Sequence, residues 1–240
     1  MLRRWISIKT VSTPNENALK FISMDGELFQ DRGAASIEIR NTDDKLIGHS
    51  KLAKRLFIQC SGVESLMIGD NFITINKDEL VHWNQVSPNV IDLLTQHLAS
   101  GDDVISSEFN TVNESNEVGY DIKILKFNLT EEDQEISDMI DELIQTRIRP
   151  AIVDDGGDIQ YRGYNPENGT VYLKLQGACK SCSSSEDTLK YGIESMLKHY
   201  VEEVQEVVQL LDPEEEIALK EFERLEQKLQ SKKDTENITY

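Results

Sequence analysis

Three cysteines occur in 240 residues, and two of them, Cys179 and Cys182, stand in the run "GACKSC" at 177–182. A tight turn lets two thiolates at this spacing converge on one soft metal ion, or on two neighbouring irons of one cluster. The same spacing serves a dithiol that makes and breaks a disulfide. Ser183 followed by Glu186 has the pattern of a capping box that opens a helix. Such a start sets Cys182 beside unpaired backbone N–H groups at the positive end of the helix dipole. That position lowers a thiol pKa and favours metal binding and redox chemistry alike.

Two thiolates make half of a four-ligand site. Cys60 falls with Leu52, Leu56 and Phe57 on the apolar face of "SKLAKRLFIQC", where a thiol acts as a small buried hydrophobe. His199 lies about five helical turns beyond the cysteines, about 25 Å away at a rise of ~1.5 Å per residue. His49, His82 and His97 sit in the N-terminal part with no ligand spacing to one another. A second copy of the chain supplies the missing half. Two loops meeting across a two-fold axis bring four thiolates, enough for a tetrahedral zinc or for one iron–sulfur cluster shared by two subunits. A cluster held at such a seam is released when the pair separates or when acceptor thiols compete, which is delivery rather than electron storage. A zinc-linked structural dimer and a thioredoxin-like oxidoreductase stand beside this reading. Against the latter, "GAC" has no aromatic neighbour and the elements lack a βαβ unit.

The elements that must position the pair are legible around it. After the capping pattern "TEED" at Thr130, the spacing of Ile136, Met139, Ile140, Leu143, Ile144 and Ile148 predicts a helix. Arg147 and Arg149 suit its C-terminal end, and Pro150 is expected to limit it. Alternating runs at Ile159 to Tyr164 and Thr170 to Leu175 flank "NPENG" and predict a hairpin that feeds into Gly177 and the cysteines. Leu189, Ile193, Met196, Leu197 and Tyr200 form an amphipathic stripe, and "VQEVVQL" reads as a last strand. The order is α, β, β, α, β.

Nearer the N-terminus, β-prone runs flank Thr13, Pro14 and Asn15, and "VESLMIGDNFITINK" reads as a hairpin turning at Gly69, Asp70 and Asn71. "SPNVIDLLTQHLASG" predicts a helix capped by Ser87, with Pro88 in its first turn and Gly101 at its end. The expected fold is α+β in two small domains: an N-terminal domain at 1–101 and a cysteine-bearing domain at 130–211. Between them, 102–129 reads as a linker that opens rich in Ser, Asn and acid, with "YDIKILKF" either a short strand or part of the linker. The tail, 212–240, is highly charged and reads as a solvated helix or as disordered; Phe222, Leu225 and Leu229 give it the alternative of a partner-docking helix.

The net charge is −19, divided as 13 − 18 = −5 over residues 1–130 and 12 − 26 = −14 over 131–240. Such a chain repels phosphate backbones, so nucleic acid is not an expected partner. No stretch approaches the roughly 20 apolar residues that span a bilayer, so a soluble chain with no membrane partner is expected. Few cysteines point to a reducing compartment. Arg3, Arg4 and Lys9, with no acid before Glu16, fit the remnant of an organelle-targeting segment, while Ile6 to Val11 fit a first strand.

"RP" at Arg149 and Pro150, "DGGD" at Asp155 to Asp158, "LQGAC" at Leu175 to Cys179, and the paired Cys179 and Cys182 closely resemble the C-terminal domain of the NifU-like (Nfu) family. "TPNENALKF" and "DNFITINK" resemble its N-terminal domain, so the resemblance spans residues 6 to 211 in the two-domain mitochondrial arrangement. It implies a late-acting scaffold or carrier, not an enzyme, located in the mitochondrial matrix. Such a protein binds a labile 4Fe-4S cluster across a homodimer, with Cys179 and Cys182 as ligands. It also implies transfer to apoproteins such as lipoyl synthase or aconitase-type enzymes, with other assembly factors as partners. For "DGGD" a structural role is expected, Gly156 and Gly157 permitting left-handed backbone and the flanking Asp side chains bonding turn amides. Glu16 and Ser183 stand where the family often has proline, which bears on turn rigidity and on the helix start but removes no ligand.

Overall fold

Alternation of apolar and polar residues builds the first sheet. Strands β1 (Ile8–Ser12), β2 (Ala18–Ser23), β3 (Ile37–Arg40), β4 (Val63–Ile68) and β5 (Phe72–Lys77) pair antiparallel in the order β1-β2-β5-β4-β3. The structure, a computed structural model, describes residues 6–24, 26, 28–31, 35–106, 127–180 and 183–211, the side chains of 180–187 excepted. Both expected hairpins form. On one face Phe21, Leu66, Ile68, Ile73 and Ile75 pack against helices α1 (Asp44–His49), α2 (Lys51–Gln59) and α3 (Trp83–Ser100). Complete burial of a side chain such as Leu56 contributes about 1.5–3 kcal/mol. Cys60, 2% exposed just beyond α2, joins this core as expected.

Helix α3 starts earlier than the Ser-Pro signal suggests. It opens at Trp83, and Pro88 lies inside it. The reason is packing: Val86 is buried, Trp83 meets Phe21 edge to face at 6.4 Å, and its indole N–H donates to the Glu16 carbonyl at 2.9 Å. Against these contacts Pro88 forfeits only the one bond its missing N–H would have given. The helix ends at Gly101 with φ of 69°, as expected.

The second half runs α4 (Glu131–Leu143), a π-turn (Ile144–Ile148), α5 (Arg149–Asp154), β6 (Gly157–Asn165), β7 (Thr170–Gly177), a short 3-10 turn (Ala178–Lys180), α6 (Ser183–Tyr200) and β8 (Glu206–Gln209). Its sheet has the order β6-β7-β8. The capping box is present: the Asp133 N–H donates to Thr130 Oγ1 and the Thr130 N–H to Asp133 Oδ2. The bond from the Thr130 backbone holds the Asp133 carboxyl below the usual carboxylate range.

Pro150 does not limit the helix. The π-turn widens the coil just before it, Pro150 sits at the start of α5, and Ile144, Ile148 and Ile152 stay buried across the junction. The α6 stripe is narrower than expected. Ile193 and Leu197 are buried, but Met196 and Tyr200 are 39% and 54% exposed, and Val201, Val204 and Val207 close this core instead.

Both sheets belong to one compact unit, Met1–Val208. Val104 packs on the first core, and Phe127 stacks on Tyr172 of β7 at 5.7 Å. The readings of residues 1–5, of most of "YDIKILKF" and of the tail at 212–240 fall outside the described residues. Among the described residues no helix is long and apolar enough to cross a membrane.

Candidate functional site

Strand β7 carries the chain directly to the first thiol. Gly177 turns it with φ of 68°, the Ala178 N–H donates to the Gly156 carbonyl at 3.2 Å, and Cys179 follows in the 3-10 turn. Cys179 is half-buried and packs against the edge of the second core. It opens into a cleft of about 400 Å³ between α5 and α6, walled by Ile148, Ile152, Leu189, Ile193 and Met196. Exposed Arg147 and Asp155 line the same cleft, as do Pro14 and Asn15 from the β1-β2 turn. Cys182 and the Ser183–Glu186 cap lie outside the described side chains, and α6 begins at Ser183, the next residue in sequence.

The two glycines of "DGGD" do different things. Gly156 has φ of 82°, the left-handed geometry expected of it, whereas Gly157 is an ordinary residue of β6 and needs no such freedom. Its lack of a side chain serves Cys179: a Cβ there would stand 2.3 Å from Cys179 Sγ, 3.1 Å from the Gln176 carbonyl and 3.2 Å from Ile152 Cγ2. Gly157→Ala is therefore expected to displace the thiol and to cost about 1–3 kcal/mol through overpacking. Chemical denaturation and the alkylation rate of Cys179 measure the two effects; unchanged values for both would refute the clearance role.

Near the loop lies an ion pair whose carboxylate is buried and whose guanidinium is half-buried. Asp158 is 1% exposed, and the Arg149 fork reaches it through Nε at 2.7 Å and Nη2 at 3.0 Å. The Ile159 N–H donates to the same carboxylate at 2.8 Å, so Asp158 bonds an amide of strand β6 where a turn amide was expected. The hydrogen bond to Asp158 raises the Arg149 pKa further. Arg149 thus ties helix to strand rather than neutralising a helix end.

The other candidates stay apart from this loop. Burial pushes the Cys60 thiol pKa up, keeping it protonated in the first core. His97 is buried on α3 with its pKa pushed down by desolvation, and His49 Nδ1 lies 3.3 Å from Ser106 Oγ. His199 is in the last turn of α6 against Tyr200. Among the described residues no three His, Cys, Asp or Glu side chains gather as a metal site.

Sequence reasoning missed a ring of first-sheet side chains that touch the loop. The sheet face opposite the helices carries Lys20, Thr74, Met67 and Glu38 in one row and Asn76 and Ser65 in the next. The Asn15 side chain donates to the Ala178 carbonyl at 3.1 Å and that of Asn76 to the Gly177 carbonyl at 3.3 Å, while the Gly177 N–H donates to Glu38 Oε1 at 3.3 Å. Lys20 Nζ donates to the Val153 carbonyl at 2.6 Å and lies 4.3 Å from the centre of the Phe72 ring. Desolvation pushes the Lys20 pKa down, opposed by Asp154 and Asp155. The alternation in "ALKFIS" and "FITINK" marks these polar rows, but nothing in it says that they are covered.

Two family descriptions match the chain: "Scaffold protein Nfu/NifU N terminal" over residues 8–101 and "NifU-like domain" over 140–208. The "NifU-like protein, mitochondrial" of Saccharomyces cerevisiae is 68% identical over 234 residues, covering 97% of this chain and 91% of that one. The "NFU1 iron-sulfur cluster scaffold homolog, mitochondrial" of Homo sapiens is 40% identical over 215 residues, covering 88% of this chain and 74% of its own. A solution structure of a NifU-like protein from Saccharomyces cerevisiae is 64% identical, covers 45% of this chain and 90% of its own, and superposes with a TM-score of 0.43. With both halves matched, the chain belongs to the two-domain mitochondrial NifU-like (Nfu) family.

Proposed function

We propose that this protein is a carrier that holds a labile 4Fe-4S cluster between two copies through Cys179 and Cys182 and passes it to apoproteins. The observation that carries the reading is the seat of Cys179: a half-exposed thiol on a tight turn, with clearance kept open by Gly157. The cluster is cargo. Each chain offers two thiolates, Cys179 and Cys182, since the third cysteine is buried and protonated in the first core. A cubane takes four ligands, so two chains share one, and acceptor thiols that compete for the irons draw it away. The protein performs no catalytic turnover of its own. The clients are mitochondrial matrix apoproteins such as lipoyl synthase and aconitase-type enzymes, received with the help of other assembly factors. Relatives named as iron–sulfur cluster scaffolds support the cluster-carrying role. In this reading 1–101 is the N-terminal domain, 102–129 the linker, 130–211 the cluster-binding domain and 212–240 the tail.

Anaerobic reconstitution with iron and sulfide tests the proposal. A brown dimer with about one cluster per two chains is expected. A single chain holding a full cluster without added thiol would refute the sharing. A colourless monomer that reduces disulfides catalytically, or a zinc-bound dimer that activates no acceptor, would replace the carrier reading.

A further inference from the structure

The contacts between the two sheets are of a different kind from those within each core. No residue belongs to both hydrophobic clusters, so each half keeps its own core whether or not the halves touch. What joins them is a polar face meeting a pair of glycine shoulders. Asn15, Asn76 and Glu38 bond the peptide groups of Gly177 and Ala178, and Lys20 bonds that of Val153. Gly156 and Gly177 fit closely against the face. A Cβ on Gly156 would lie 2.8 Å from Thr13 Cγ2 and 3.2 Å from Thr74 Oγ1, and one on Gly177 would lie 2.6 Å from Met67 Sδ.

Apart from Met67, buried against Gly177, the groups of this face are polar, and Thr74 Oγ1 and Asn76 Oδ1 have no partner among the described residues, so water serves them better than the docked half does. Interfaces between halves of one chain with this polar character resemble transient ones, for which relative motion of the halves is the default. The grip falls on the two residues immediately before Cys179, and Pro14 and Asn15 line the same cleft as its thiol.

We propose that the first sheet is a detachable clamp on the Cys179 loop: docked, it fixes the Gly177 and Ala178 peptides and shields the thiol, and on leaving it frees both. The clamp is a property of the apo chain and does not depend on which cargo the thiols carry.

The test uses the full-length apo protein and two substitutions. Thr74→Arg puts a long charged side chain where Gly156 docks, on a face that solvates it once free; Asn15→Ala removes the bond across the junction to Ala178 together with the local turn bond from the Asn17 N–H. Amide hydrogen exchange at Gly177 and alkylation of Cys179 by iodoacetamide are followed site by site, with a thermal melt to confirm that both cores persist. Thr74→Arg is expected to raise both rates about tenfold, the equivalent of about 1.4 kcal/mol of docking. Asn15→Ala is expected to raise them about fivefold, as loss of one net hydrogen bond implies. If Thr74→Arg disrupts the first core, Asn15→Ala decides alone. Unchanged rates in a folded variant overturn the clamp. Neither readout involves iron, so failure of the carrier reading leaves this result intact, and the reverse also holds.

Discussion

Serine in place of either Cys179 or Cys182 is expected to abolish cluster retention. An alcohol stays protonated at neutral pH and does not ligate iron as a thiolate does, so each substituted chain brings one ligand and a pair of chains brings two where four are needed. The fold should survive. Cys179 sits at the edge of its core, half-buried, and exchange of sulfur for oxygen there removes little packing. Cys60→Ser is the contrasting case. It buries a hydroxyl in the first core at a cost of about 1–3 kcal/mol, yet leaves cluster content unchanged. Iron and sulfide content, visible absorption and circular dichroism on the three variants give the answer. A coloured Cys182→Ser product, or a colourless Cys60→Ser product, would show that the ligands have been assigned to the wrong cysteines.

The largest loss of stability is expected from Arg149→Met. Asp158 is almost wholly buried, and its carboxylate is held by both arms of the guanidinium as well as by the Ile159 amide. Removing the arginine strands a buried charge, which costs about 3–5 kcal/mol. Adding Asp158→Asn to the same chain removes the stranded charge and should recover part of that loss. Urea denaturation of the single and double variants measures both steps. If Arg149→Met costs less than about 1 kcal/mol, the pair behaves as an exposed one and does not anchor the strand under the loop.

Much of this architecture is readable from local chemistry. The Thr130 capping box, the turn at Gly69 to Asn71, the stop at Gly101 and the burial of Cys60 each follow from a few neighbouring residues, and each is where it was expected. The misreadings arise where tertiary contacts override a local signal. Pro88 marks a helix start in isolation, yet Trp83 and Val86 find partners that pull the start upstream. Pro150 marks a helix end, yet a widened turn carries the coil past it. Gly157 reads as a turn glycine, and its purpose is visible only once Cys179, distant in sequence, lies against it. The polar residues of β2 and β5 suggest a solvent face, whereas Thr74 and Asn76 are buried because Gly156 and Gly177 of the other half of the chain lie over them.

The π-turn at Ile144–Ile148 has a consequence for how this stretch can vary. Each residue of an α-helix advances the chain by about 100° about its axis. A π-turn holds one residue more than an α-turn, so dropping a single residue from it would close the coil to regular helix with little change of phase, whereas dropping one from α4 would rotate everything after it by that angle, swinging the guanidinium off its carboxylate and the isoleucine row off the core. The length of α4 is thus held by angular phase, and the widened turn is where this coil can lose one residue and keep that phase.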